Sequence, residues 1–163
     1  MNALKVYKKI VDFAADVIYI FAILYALVHA PMLLGHKPVV IVSNSMSPTL
    51  KVGSIVYYTY TPEEELKQYD MIAFSYDGED ELITHRINSI NNGKFETKGD
   101  GNDKADSKLI EYSNIKGRVS NVFVPFLGYY VGYVNNNMYI IVCAVLILIA
   151  EFILDNLKCF FKR

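Results

Sequence analysis

Three short segments of this chain carry side chains that could do chemistry together. They are Ser43-Asn44-Ser45-Met46-Ser47-Pro48-Thr49-Leu50, then Leu82-Ile83-Thr84-His85-Arg86-Ile87, then Lys98-Gly99-Asp100-Gly101-Asn102-Asp103-Lys104-Ala105-Asp106. Each is ambiguous alone. A Ser/Asn/Pro cluster is common turn chemistry, although small polar residues leaving an apolar strand also present a hydroxyl well. Two-residue alternation puts Ile83, His85 and Ile87 on one face of a strand, which makes His85 an imidazole among core residues. A structural histidine hydrogen-bonded inside a sheet is the commoner occupant of such a placement. The third segment could be a solvated acidic turn or a calcium loop. With Asp100 as first ligand, Asn102 and Glu111 fall at ligand positions, but Lys104 occupies a ligand slot and Ala105 replaces the required glycine. No metal site and no cofactor is expected.

Peptide hydrolysis would use all three. A serine hydroxyl is a weak nucleophile and needs a neighbouring base. Histidine serves as that base near ambient pH with little tuning. The base needs an orienting carboxylate, and donors must face the developing oxyanion.

The elements that must position these residues read as β. Short runs rich in Val, Ile, Tyr and Phe alternate with turn clusters. Strands are expected at 39–42 (VVIV), 54–60 (SIVYYTY), 71–76 (MIAFSY), 81–90 (ELITHRINSI), 94–98 (KFETK) and 117–124 (GRVSNVFV). Gly78-Glu79-Asp80 marks a turn, and Asn91-Asn92-Gly93 is a strong hairpin signal. One helical patch is expected at 62–68 (PEEELKQ), with proline in the first turn and acids near its positive end. Residues 122–134 (VFVPFLGYYVGYV) suit either a membrane interface or a plain strand-to-helix connector.

Both ends of the chain are apolar. Hydrophobic residues make up 53% of the 163, but they concentrate at 17–34 (VIYIFAILYALVHAPMLL) and 138–154 (MYIIVCAVLILIAEFIL). With flanking residues each run approaches the roughly 20 residues needed to cross a bilayer as a helix. One small domain has little interior in which to bury two such helices. Lys5, Lys8 and Lys9 resemble the basic start of an export signal, but Val28-His29-Ala30 followed by Pro31 is a poor cleavage site, so an uncleaved anchor is expected. Lysines before the first run and Lys158, Lys162 and Arg163 after the second place both termini in the cytoplasm. The middle of the chain then lies outside. Cys143 and Cys159 lie in the second run and the tail, leaving no disulfide in the outer domain. A net charge of −1 carries no nucleic-acid footprint.

Taken together, Ser-x-Ser-Met-x-Pro-Thr-Leu, Thr-His-Arg-Ile and Lys-Gly-Asp-x-Asn-x-x-x-Asp, in this order after an N-terminal anchor, resemble the type I signal peptidases. The resemblance covers residues 39–128. The histidine is similar to the branch found in the endoplasmic reticulum, archaea and some Gram-positive bacteria, where the common bacterial branch has lysine. The resemblance implies a mainly β fold: a signal-peptidase-like antiparallel catalytic domain at 36–133, flanked by transmembrane helices within 1–35 and 134–163. It implies Ser45 as nucleophile, His85 as base, Asp106 as the acid completing the triad, and Asp100 in support. Ser43 and the Ser45 backbone would form the oxyanion hole, and Met46 would border the substrate pocket. The implied partners are signal peptides of secretory preproteins, the lipid bilayer and the translocation machinery. Gly101, where asparagine is frequent, and Ser107, where a second acid often follows, depart from the pattern, and the second departure leaves the choice between Asp106 and Asp100 open. Two other readings stand beside this one: a non-catalytic membrane-anchored subunit of a processing complex, and a repressor-type self-cleaving protease. The latter would need a lysine where this chain has His85.

Overall fold

The apolar runs in the middle of the chain settle into seven strands of one antiparallel sheet. The strands are β1 (Lys37–Val40), β2 (Ile55–Thr59), β3 (Met71–Phe74), β4 (Ile83–Asn91), β5 (Lys94–Lys98), β6 (Ile110–Glu111) and β7 (Ile115–Val124), in the spatial order β1-β2-β7-β3-β4-β5-β6. Every neighbouring pair is antiparallel. This computed structural model describes residues 3–77, 79 and 81–161. It divides into His29–Gly132, which holds the sheet, and a helical unit of Met1–Val28 with Tyr133–Arg163.

β3 is the middle strand and shows why its sequence does not alternate. Met71 and Ala73 enter one core with Ile41, Met46, Leu50, Val56 and Val119. Ile72 and Phe74 enter a second with Leu66, Ile87, Phe95, Ile110 and Ile115. Both faces of the strand are covered, so a continuous apolar run is what the position demands. The β4–β5 hairpin closes through Asn92 (φ 51°) and Gly93 (φ 72°), with Asn91 opposite Lys94. Two successive positive φ values make the primed turn that matches strand twist, and Asn-Gly is its preferred sequence.

Several expectations are corrected. The first strand begins two residues earlier than 39–42, although its pairing reaches Ile41, which exchanges backbone bonds with Ser54 and Gly53 (2.9 and 2.8 Å). The helical patch at 62–68 is only a 3₁₀ turn at Glu63–Glu65. Seven residues offer too few hydrogen bonds to offset helix nucleation. Residues 122–134, read as either a membrane-interface segment or a strand-to-helix connector, divide between the end of β7 and a second helix, α2 (Leu127–Asn136). Of the expected turn at 78–80, Gly78 and Asp80 lie outside the described residues.

In the helical unit, α1 (Ala3–His29) is 27 residues long, or about 40 Å at 1.5 Å per residue. That exceeds the roughly 30 Å hydrocarbon core of a bilayer. Residues Val6–Leu34 are apolar enough to cross one. Ile10, Phe13, Ile20, Ile23 and Leu27 stand exposed along it, an arrangement suited to lipid rather than water. A 3₁₀ turn (Ala30–Leu34) and left-handed Gly35 (φ 82°) end the segment. α3 (Tyr139–Phe161) follows α2 after a break, where Asn137 Nδ2 donates to the Tyr133 carbonyl at 2.7 Å.

Candidate active site

Ser45 sits on a turn built by the alternation of its own sequence. Met46 and Leu50 are buried in the first core, which pins the turn and leaves Ser45 half-exposed between them and solvent. Local bonds from Ser47 N–H to the Asn44 carbonyl (2.9 Å) and from Leu50 N–H to the Met46 carbonyl (2.8 Å) close it. The Gly-Asp segment forms its floor. Gly101 N–H donates to the Ser45 carbonyl at 2.8 Å. A Cβ on Gly99 would stand 2.4 Å from that same carbonyl oxygen, and one on Gly101 would stand 2.7 Å from the Asn44 carbonyl oxygen. Both positions therefore require glycine for space rather than for unusual φ, and no asparagine fits at 101 in this arrangement.

His85 lies on β4 opposite Ile72, is 8% exposed, and meets the Phe74 ring edge-on at 6.1 Å. Strand alternation thus places the imidazole as the sequence suggested, between Ile83 and Ile87 on the face of the second core. Its Nδ1 is 2.7 Å from Oδ2 of Asp106. An ionised carboxylate can only accept, so a bond to one requires the proton on Nδ1, and a neutral ring with that tautomer keeps Nε2 as an acceptor. Oδ2 of Asp106 also receives the Thr97 hydroxyl at 2.6 Å.

Asp100 is elsewhere. Its two oxygens take Nε and Nη2 of Arg86 at 2.8 and 2.7 Å, a bidentate pair. Hydrogen bonds from Arg86 hold the Asp100 carboxyl below its ordinary range, against the opposing effect of burial, and the Thr49 hydroxyl adds to the lowering. The same pairing raises Arg86. Arg86 Nη1 further donates to the Tyr69 carbonyl at 2.7 Å. Arg86 therefore ties β4, the Tyr69 turn and the Gly-Asp turn into one frame. The sequence placed Arg86 in a motif without a role; its position next to His85, on the opposite face of the strand, was the available signal.

Ser43, Ser45, Met46 and His85 line one cavity of about 220 Å³, with Val40–Val42 on one side and residues 81–84 on the other. The Ser45 hydroxyl is 3.1 Å from that of Ser43. Among the described residues no hydrogen bond joins Ser45 to His85. Met46, expected beside a substrate pocket, borders this cavity while its side chain is 1% exposed. Thr97 was not singled out in the sequence. Alternation after the inward Phe95 marks it as a buried hydroxyl that must find a partner.

A β-domain that gathers a turn serine, a buried histidine and a carboxylate bonded to that histidine has the make-up of a Ser–His–Asp site. Comparison with known proteins gives this class a family. The human and dog proteins each named signal peptidase complex catalytic subunit SEC11C are 30% identical over 142 residues, covering 78% of this chain and 72% of theirs. Signal peptidase I W of Bacillus subtilis (strain 168) is 31% identical over 100 residues, 58% of this chain and 52% of its own. No family model matches. The chain belongs to the type I signal peptidase family.

Proposed function

We propose that this chain is a membrane-bound serine endopeptidase that removes N-terminal signal peptides from exported preproteins, cleaving after small residues of the Ala-x-Ala type. The observation that carries the reading is the 2.7 Å bond from His85 Nδ1 to Asp106, made by an imidazole that lines the same cavity as Ser45.

In this reading His85 Nε2 takes the Ser45 Oγ proton as Oγ attacks the scissile carbonyl carbon. The tetrahedral oxyanion is held by the Ser45 backbone N–H and the Ser43 hydroxyl. Asp106 stabilises the imidazolium, which returns its proton to the leaving amine as the C–N bond breaks. Water then attacks the Ser45 ester with His85 again as base, and the signal peptide leaves with a free carboxylate. The Ser45–His85 bond forms as substrate displaces the Ser43 hydroxyl from Ser45; catalytic hydrogen bonds commonly tighten only at that stage. Asp100 acts through Arg86 to hold the Gly-Asp turn beneath Ser45.

Substrate geometry supports the same class. β1 is an edge strand, and its continuation forms one wall of the cavity, which suits an extended peptide added along the edge. A space of about 220 Å³ suits small side chains better than the larger ligands of typical pockets. Ser45 is eleven residues beyond Leu34, so it lies within about 40 Å of the end of the apolar segment. A signal peptide offers its small-residue cleavage site just outside the membrane. The reading includes a second crossing by the C-terminal helices, cytoplasmic termini, and an outer catalytic domain working beside the translocation machinery. Purified protein in detergent is expected to cleave an Ala-x-Ala peptide. Ser45→Ala is expected to abolish cleavage while the protein still fractionates with membranes; a Ser45→Ala protein that cleaves normally sinks the proposal.

A further inference from the structure

The carboxylate that engages His85 is itself held from behind. Thr97, on β5, is fully buried, and its hydroxyl donates to the same Asp106 oxygen that accepts from His85. A second bond joins the same two residues: Asp106 N–H donates to the Thr97 carbonyl at 2.8 Å. Thr97 pairs across the ladder with Ile87, two residues beyond His85 on the same strand. One rigid β4–β5 ladder therefore carries both the imidazole and the hydroxyl, and Asp106 is suspended between them.

Asp106 leads out of a turn rather than a strand, so its backbone alone does not fix its carboxylate. The Thr97 hydroxyl has a single proton to give, and Asp106 receives it. While that bond stands, rotation of the carboxylate breaks two charge-assisted hydrogen bonds at one oxygen. Without it, only the His85 bond opposes rotation, and the orienting acid shares its position among several rotamers.

We propose that Thr97 is a positioning residue: its hydroxyl fixes Asp106 in the orientation that holds His85 as base. This rests on the Ser45–His85–Asp106 reading above. The test measures kcat and KM on the Ala-x-Ala peptide for Thr97→Val, Thr97→Ala, Thr97→Ser, Asp106→Asn and the Thr97→Val/Asp106→Asn pair. Thr97→Val keeps the shape and removes the hydroxyl, and is expected to lower kcat roughly 10- to 100-fold, the range of a hydrogen bond to a charged group. KM is expected to change by less than about twofold, since substrate binding is not touched. Thr97→Ser is expected to stay within about threefold of wild type. In the Asp106→Asn background the valine change is expected to cost nothing further, because the two act as a unit. If the valine protein does not fold, Thr97→Ala supplies the same comparison. Wild-type kcat in either hydroxyl-free variant, or an undiminished loss in the Asp106→Asn background, overturns the assignment. Asp106→Asn inactive beside a fully active Thr97→Val sinks the Thr97 role alone; Asp106→Asn at wild-type rate removes the catalytic reading and this inference with it.

Discussion

The contact between Gly99 and the Ser45 carbonyl gives a prediction whose size follows from one distance. An alanine Cβ at position 99 would stand 2.4 Å from that oxygen, against the 3.0 Å below which such contacts essentially never occur. The oxygen must therefore retreat by at least about 0.6 Å, and by about 1.0 Å to reach ordinary contact. It belongs to Ser45 itself and is backbone, so the proposed nucleophile moves with it. The Gly101 N–H bond to the same oxygen, 2.8 Å, resists in-place adjustment. A displacement near 1 Å at a reacting centre costs on the order of 100-fold in rate. Gly99→Ala is therefore expected to lose roughly 10- to 100-fold in kcat. The overpacking is expected to destabilise the fold by about 1–3 kcal/mol. Initial rates on an Ala-x-Ala peptide and a melting curve on the same preparation separate the two effects. Gly132→Ala is the control, since among the described residues a Cβ added there would meet no neighbouring group within 4 Å, and it is expected to leave both quantities unchanged or slightly improved. A folded Gly99→Ala protein with wild-type turnover would refute the claim that the Gly-Asp turn sets the position of Ser45.

Two further outcomes follow from the carboxylates. Asp106→Asn preserves shape but removes the charge facing His85 Nδ1, and peptide cleavage is expected to fall by on the order of 10³- to 10⁴-fold with little change in melting temperature. Asp100 titrates below its ordinary 3.8 because Arg86 hydrogen-bonds its charged form. That stabilisation is complete above the ordinary carboxylate range and disappears as pH falls through the lowered value. Asp100→Asn is expected to cost about 1–2 kcal/mol at pH 7, after allowance for partial exposure of the pair. Its melting temperature should converge on that of wild type as the solution is acidified below about pH 4; a constant gap down to pH 2 would contradict the assigned ion pair.

The sheet was legible where local chemistry dictates the backbone. Asn92-Gly93 can hardly be anything but a primed turn, and alternation from Ile83 to Ile87 fixed the face on which His85 lies. Legibility failed where packing across the fold decides. β6 is two residues long, too short to leave a periodic signal. α2 carries Gly128 and Gly132, which argue against a helix by propensity. Yet Gly128 is needed there: its N–H donates to the Gly53 carbonyl at 2.9 Å, and a Cβ would stand 2.7 Å from that oxygen. The sequence left the partner of His85 open between Asp100 and Asp106 because Ser107 stands where a second acid often follows. Arg86 draws Asp100 to the other face of β4, and Thr97 draws Asp106 to the face of the imidazole. Neither pull shows in the spacing of the acids, since both depend on which strand lies alongside the turn. The membrane reading divides in the same way. α1 carries the first apolar run on one helix that is long and apolar enough by itself, whereas the C-terminal run at 138–154 lies largely in α3, which reaches that length and apolarity only together with α2 across an 89° bend.

If Ser45 and His85 act as one device, a double-mutant cycle shows it directly. Initial cleavage rates are compared for wild type, Ser45→Ala, His85→Ala and the double variant. The expected result is a loss of roughly 10⁴-fold or more in each single variant and no additional loss in the double. Losses that multiply, or a single variant that retains wild-type turnover, would contradict it.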